Sequence, residues 1–383
     1  VTAPVALARP DGSIAITVPG VPQAAPTTLA LHGNWPAWAP GGELIAYSTL
    51  EPGRGEPRSS VVVRTAGGGH AGRVFQSLPG TAPVIAARVP HYVQWSPAGE
   101  LLAIVAPGKE SLTLYLSAAD GSFASDPVAD GAPLFPAWHR DGRLLAVHSG
   151  TELLVIDTVT RERTVVATEA AGFRTPAWAG DRLVYAVLTG DGPLVMSYDP
   201  VSGETGALHT FAAGVVICPA GDGTHVSLAV PDGTDSGTFA SLWLSHGTPG
   251  AGRVERVCRG PFVAAHWAPG GGRVALIVPV HTGDGRFQVQ VFNRDGSFAA
   301  AAEPWIPGID FRTMIGFFDQ YVMSHPIWAP DGSGLAVVGR IATDGRAAML
   351  SDRVDDHAFW WTATRGAAWE DLGPADLAIF PPA

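Results

Sequence analysis

Two stretches decide the fold: Trp95-Ser-Pro-Ala-Gly-Glu-Leu-Leu-Ala103 and Trp328-Ala-Pro-Asp-Gly-Ser-Gly-Leu-Ala336. In each, a tryptophan is followed by a Pro/Gly or Asp-Gly turn and then by an apolar run containing Ala. The pattern returns as Trp38-Ala-Pro-Gly-Gly-Glu-Leu-Ile-Ala, Trp138-His-Arg-Asp-Gly-Arg-Leu-Leu-Ala, Trp178-Ala-Gly-Asp-Arg-Leu-Val-Tyr-Ala and Trp267-Ala-Pro-Gly-Gly-Gly-Arg-Val-Ala. A degenerate copy, Cys218-Pro-Ala-Gly-Asp-Gly-Thr-His-Val, has Cys where the others have Trp. Seven anchors therefore succeed one another at intervals of 40 to 61 residues. The shorter intervals match the roughly 40–45 residues of a four-stranded sheet unit, and the longer ones imply insertions.

Between anchors the apolar period is two, as in Leu112-Thr-Leu-Tyr-Leu-Ser and Gln288-Val-Gln-Val-Phe-Asn, so these runs read as strands. Asp120-Gly121, Asp191-Gly192 and Asp295-Gly296 supply the positive φ angles of tight hairpins. A lone four-stranded sheet cannot bury both of its faces, whereas twisted sheets stacked around an axis can. The expected fold is therefore all-β: a seven-bladed β-propeller of four-stranded antiparallel blades, with the anchor tryptophans in the blade-to-blade contacts.

The expected organisation is one domain over residues 1–383, with blades near 24–80, 81–128, 129–168, 169–210, 211–256, 257–305 and 306–383. Residues 1–20 contain Val5-Ala-Leu-Ala-Arg-Pro-Asp-Gly-Ser-Ile-Ala-Ile-Thr, a strand, turn and strand ahead of any anchor. They are expected to close the ring by completing the last blade, begun at Trp328, because an open blade would expose unpaired strand edges.

Composition agrees. The 383 residues are 46 % hydrophobic and 15 % charged, enough apolar material for a packed core, and 47 Gly with 33 Pro suit turns better than helices. A net charge of −11 and the lack of an Arg run argue against nucleic acid as a partner. No apolar stretch approaches the roughly 18 residues of a spanning helix, so membrane insertion by this chain is not expected. A start at Val1 fits either removal of a targeting segment or simple trimming. Cys218 and Cys258 allow at most one disulfide, with buried free thiols as the alternative.

The motif W-S/A-P-D/G-G-x-x-[LIV]-A, followed by a strand and an Asp-Gly turn, resembles the TolB-type propeller repeat, a relative of WD-type repeats. The resemblance covers essentially the whole chain, apart from the missing Pro in the Trp138 and Trp178 copies and the missing Trp at Cys218. It implies an extracytoplasmic location, periplasmic or cell-surface, with the cytoplasm as alternative. It also places the residues just before each anchor on or near the innermost strands. Asn34, His91, Arg174 and Ser324-His325 are polar there and are the candidates for a ligand site at the channel mouth; strand-end capping is the plainer account of them. His139 and His266 adjoin anchors as core or channel histidines, and sequence does not show the convergence that a metal needs.

The longest insertion, 301–324, carries Trp305, Phe311, Met314, Phe317, Phe318, Tyr321 and Met323. These side chains either cover the channel mouth or offer a partner aromatic anchors, with Phe311, Phe317, Phe318 and Tyr321 as the contacts. Phe359, Trp360 and Trp361, with Trp369, read as late strands of the last blade. Loops 51–60 and 75–90 are long, and the first reads as a solvated, mobile excursion.

No catalytic residue is expected. Gly-x-Ser-x-Gly is missing, Gly233-Thr-Asp-Ser-Gly has the wrong spacing, and there is no His-Glu-x-x-His, Cys-x-x-Cys or phosphate loop. No cofactor or metal is expected either. The leading functional expectation is a non-enzymatic scaffold that binds another protein within an extracytoplasmic or envelope assembly. The alternative is a small-molecule-binding or hydrolytic propeller with its site at the channel mouth.

Overall fold

The structure, a computed structural model, describes residues 3–21, 26–51, 58–69, 71–77, 89–122, 126–170, 172, 174–212, 214–233, 237–249, 254–280, 285–341 and 356–383. Most of the loops expected at 51–60 and 75–90, and the Ser of the 233–237 motif, lie outside them.

Each anchor opens a sheet unit at its innermost strand. Blade 1 runs Asn34–Trp38, Leu44–Glu51, Arg58–Thr65, Ala71–Gln76, and blade 2 runs Tyr92–Trp95, Leu101–Pro107, Leu112–Ala118, Asp126–Gly131. Blade 3 comprises Leu134–Trp138, Leu144–Ser149, Glu152–Asp157 and Arg163–Ala167; blade 4 comprises Ala177–Ala179, Arg182–Thr189, Gly192–Tyr198 and Thr205–Thr210. Blade 5 contains Val216–Pro219, Val226–Pro231, Phe239–Ser245 and Glu255–Phe262, and blade 6 contains Ala264–Trp267, Arg273–Pro279, Phe287–Asn293 and Phe298–Ala301. Blade 7 is built on Leu335–Ile341, His357–Trp361 and Glu370–Pro374, so Phe359, Trp360 and Trp361 do occupy a late strand.

The turn after each anchor has a local cause. In blade 3, Gly142 adopts φ +72° and donates its N–H to His139 O at 3.0 Å, a conformation that disfavours a side chain. Asp141 Oδ1 accepts from the N–H groups of Arg143 at 2.8 Å and Leu144 at 3.1 Å, which holds the return strand in register.

Ring closure differs from the expectation. The N-terminal strands Val5–Ala8, Ile14–Thr17 and Thr27–Ala30 do not join the Trp328 blade; they pair with the C-terminal strand Leu377–Ile379 as a separate blade 8. Among the described residues, hydrogen bonding gives seven sheets, six with four strands and one with eight. The largest holds blades 6 and 7 together, because Trp305–Pro307 bridges Phe287 of one and Leu335–Ile341 of the other. Among the described residues the ring thus divides into eight blade units, each anchor heading one and the joined chain ends forming the eighth, so the expected count of seven is not confirmed. Pairing the two termini leaves neither end of the ring with an open edge.

The anchors also tie neighbours together. The indole N–H of Trp95 donates to Ala37 O at 2.9 Å, Trp138 to Gln94 O at 3.4 Å, Trp178 to Ala137 O at 3.0 Å, and Trp328 to His266 O at 2.8 Å. In each case the acceptor immediately precedes the anchor of the preceding blade. Trp38 donates to Ile379 O at 2.9 Å, which identifies Phe380 as the anchor of blade 8. Phe380 has no indole, and its backbone N–H donates to Pro326 O at 3.0 Å instead. The chain breaks at blade 5. Cys218 has no indole to offer blade 4, and Trp267 Nε1 is buried with no acceptor among the described residues. Cys218 and Cys258 are both buried free thiols, so no disulfide compensates.

Candidate functional site: a capped channel mouth

The innermost strand of blade 7 is interrupted. Trp305–Pro307 runs beside Ile341–Gly339, the chain leaves for α1 (Ile309–Gly316) and α2 (Phe318–Tyr321), and it returns at Trp328 beside Leu335. An insertion in an innermost strand must emerge at the channel, which is where α2 sits.

Four residues of α2 reach five other blades. Tyr321 packs on Trp35 of blade 1 at 5.2 Å between ring centres and on Tyr92 of blade 2 at 5.6 Å, and the Tyr92 hydroxyl donates to Gln320 O at 2.6 Å. Asp319 Oδ2 accepts the backbone N–H of Thr175, just before blade 4, at 3.3 Å. Phe318 meets Phe239 of blade 5 at 5.6 Å and His266 of blade 6 at 6.3 Å. Trp35 takes φ +51°, unusual for an aromatic residue, and this turn of the chain aims its ring at the cap. The insertion therefore takes the covering role.

That placement corrects the partner-contact expectation for three of four residues. Phe311, Phe318 and Tyr321 are buried, Phe311 against Trp305 at 6.3 Å and the other two inside the ring. Phe317 alone of the four faces outward, 45 % exposed, at the C-terminal end of α1, whose first residue Ile309 is 59 % exposed. Arg312 and Gly316 are exposed on the same face of α1 as Ile309.

The four mouth candidates are brought to the cap by different routes. Asn34 is half-buried opposite Ser48, whose Oγ lies 2.9 Å from His91 Nδ1, while Ser59 Oγ lies 3.2 Å from His91 Nε2. His91 is thus buried with both ring nitrogens engaged. His325 is buried against Trp35 and Tyr321, with Ser324 Oγ 2.7 Å from Nδ1 and Nε2 without a partner among the described residues. Arg174 lines an apolar cleft of about 290 Å³ with Ala186, Leu188, Pro193 and Val215, and its charge acts on Asp319. The candidates do not converge on one open cavity.

Desolvation dominates the electrostatics. Burial lowers His91 and His266 to about 4 and His325 to about 3, so all three imidazoles are neutral near pH 7. Burial raises Asp319, against the opposing Thr175 N–H and Arg174 charge, and it raises the Cys218 thiol well above its ordinary value, with Asp319 adding to the effect. No group of three or more His, Cys, Asp or Glu among the described residues is arranged to hold a metal ion. His139 is buried on the turn that follows the innermost strand of blade 3, packed on Trp178 at 4.6 Å between ring centres and 3.3 Å from Asp181.

Sequence reading missed Trp35, Tyr92, Thr175 and Asp319 as cap contacts; only their positions shortly before anchors or inside the insertion hinted at it. It also passed over Asp222, His225, His246 and Arg294, a polar cluster between blades 5 and 6. The available signal was the degeneracy of the Cys218 repeat in which two of them lie.

No protein-family model matches this chain, and no curated protein matches it. Among solved structures, a eukaryotic initiation factor aligns with TM-score 0.56 and 12 % identity, covering 100 % of this chain and 98 % of that one. The β-propeller domain of the Trilobed protease from Pyrococcus furiosus, described as having an open velcro topology, aligns with TM-score 0.52 and 13 % identity over 89 % of this chain and 94 % of its own. TolB from Acinetobacter baumannii also matches, at TM-score 0.39 and 13 % identity over 86 % and 83 %, an alignment too loose to add weight. At these identities the likeness concerns architecture alone, and with the ring described above it establishes that this chain is a β-propeller.

Proposed function

We propose that this chain is a non-enzymatic binding scaffold whose contact surface is the outer face of its capped channel mouth. The observation that carries the reading is the cap itself. Propellers place small-molecule sites where innermost strands converge, and here α2 fills that space while His91 and Tyr92 spend their polar atoms on internal partners. The face left outside, Ile309, Arg312 and Phe317, pairs apolar anchors with an arginine, a composition favoured at protein contacts. A place in an extracytoplasmic assembly follows from the repeat's resemblance to the TolB type. No helix among the described residues is long and apolar enough to cross a membrane.

The test compares Phe317→Asp with Val201→Asp, the latter at a turn residue that is 92 % exposed in blade 4. Both are expected to leave the melting temperature within about 2 °C of the parent, because both side chains lie at the surface, outside the packed core. Phe317→Asp is expected to weaken association with the partner co-purified from native extract at least about tenfold, the size of a hot-spot loss. Equal retention of the partner by both variants, or no retained partner with the parent chain, overturns the proposal.

A further inference from the structure

The seam between blades 5 and 6, like that between blades 4 and 5, is closed without an anchor indole bond. Trp267 cannot make the indole bond that Trp95, Trp138, Trp178, Trp328 and Trp38 make, and a turn-to-turn bond from Gly270 N–H to Gly221 O at 2.9 Å remains near the anchors. Towards the periphery the seam opens into a cleft of about 270 Å³ lined by His225, His246, Glu255, Arg256, Arg294 and Asp295.

Across this cleft Arg294, on the turn after Phe287–Asn293 of blade 6, donates to two groups of blade 5: Asp222 Oδ2 at 2.6 Å and His225 Nε2 at 2.8 Å. His225 Nδ1 lies 2.6 Å from the same Asp222 oxygen and 2.8 Å from Thr224 Oγ1. Its proton therefore sits on Nδ1, and Nε2 presents a lone pair. His246 Nε2 lies 2.9 Å from that same nitrogen, with the ring centres 3.7 Å apart and the planes tilted by 51°, so the second imidazole packs over the first. The one lone pair of His225 Nε2 thus accepts from the guanidinium under the cover of a second imidazole. The arrangement exists only while His225 is neutral. It is also unsuited to a metal, since the guanidinium occupies the lone pair that a metal would need.

We infer that this cluster is an acid-sensitive latch, in which protonation of His225 expels Arg294 and opens the seam between blades 5 and 6. A proton on His225 Nε2 removes the acceptor and sets an imidazolium against Arg294 at hydrogen-bond distance. The facing charges do not cancel this. Asp222 already serves Arg294 and His225 Nδ1, Arg256 stacks on Trp243 at 5.4 Å and adds positive charge, and Glu255 and Asp295 stand at the solvent side of the cleft. Burial and the neighbouring positive groups lower the His225 pKa against the pull of Asp222, so the latch is closed at neutral pH and yields on acidification below the ordinary imidazole range.

Both cysteines of the chain lie in blade 5, and Cys258 directly follows the cleft residue Val257. Burial pushes the Cys258 thiol up to about 12, so its labelling requires opening rather than ionisation in place. The experiment measures Cys258 labelling by 4,4′-dithiodipyridine, with peptide mapping and normalisation to unfolded protein at each pH. Between pH 7 and pH 5 the parent rate is expected to rise at least about tenfold through local opening. His225→Gln/His246→Gln is expected to change less than about twofold, and Arg294→Met to label fast at both pH values. A flat parent profile overturns the latch. So does an equal rise in the double variant, which is what general acid unfolding produces.

Discussion

A chain beginning at residue 21 is expected to lose its cooperative unfolding transition, not merely to melt a few degrees lower. Deletion of residues 1–20 removes Val5–Ala8 and Ile14–Thr17, two of the four strands of blade 8, and leaves Leu377–Ile379 without its partner. Val5, Leu7 and Ile14 are fully buried, and at roughly 1.5–3 kcal/mol for each large apolar side chain their loss alone approaches a typical net stability of about 5–15 kcal/mol. The damage does not stay local. Trp38 of blade 1 donates to Ile379 O of this closing sheet, and Phe380 at its end donates to Pro326 O just ahead of the Trp328 anchor, so blades 1 and 7 each lose a packed neighbour. Removal of residues 375–383 is expected to act similarly, since it takes the other half of the same sheet. Calorimetry and near-ultraviolet circular dichroism check this. A truncated protein with an unchanged melting temperature shows that the terminal strands are not the clasp.

The clasp also shows what the sequence made legible. Seven anchors were readable because each is fixed by a local requirement, a turn glycine at positive φ or a large ring filling the space between sheets, and local requirements leave local patterns. Blade 8 was half readable. Its strands Val5–Ala8 and Ile14–Thr17 announce themselves by period and by the Asp-Gly turn, but their partner Leu377–Ile379 is only three residues long and its anchor is Phe380. Pairing between residues some 370 positions apart leaves no trace in either segment. The strands were therefore assigned to the nearest incomplete blade. The candidate site was less legible still. An aromatic cluster such as Phe311, Phe317, Phe318 and Tyr321 looks the same in sequence whether it faces a partner or its own channel. The choice depends on where the chain leaves blade 7, which is set by the split pairing with Leu335–Ile341. His225 was hidden for the same reason: its partners His246 and Arg294 come from a different strand and a different blade.

Acidification from pH 7 to pH 4 is expected to cost the fold several kcal/mol through the histidines at the channel, independently of the blade 5–6 seam. Burial holds His91 and His266 at about 4 and His325 at about 3, against about 6.5 in an unfolded chain. A base whose pKa is depressed by folding binds its proton more readily when unfolded, so stability is complete above the unfolded value and declines as pH falls through the window towards the folded value. The differences from 6.5, about 2.5 for His91 and His266 and about 3.5 for His325, correspond to roughly 3 kcal/mol for each ring by pH 4, where the unfolded rings are charged and the folded ones still half neutral or more, and three rings together approach the whole margin of a typical domain. Two carboxyls oppose the trend. Asp319 and Asp356 are raised, chiefly by burial, so their folded forms take up protons first and return part of the loss near pH 4. The imidazoles prevail because their window begins near pH 6.5, before either carboxyl of the unfolded chain titrates. Urea titrations at pH 7, 5.5 and 4 measure the slope. Replacing His325, whose Nε2 is buried without a partner among the described residues, by Gln is expected to flatten it. Equal stability at pH 7 and pH 4 in the parent means that these rings reach water or an internal acceptor in the folded state, and that the capped channel is wetter than its packing indicates.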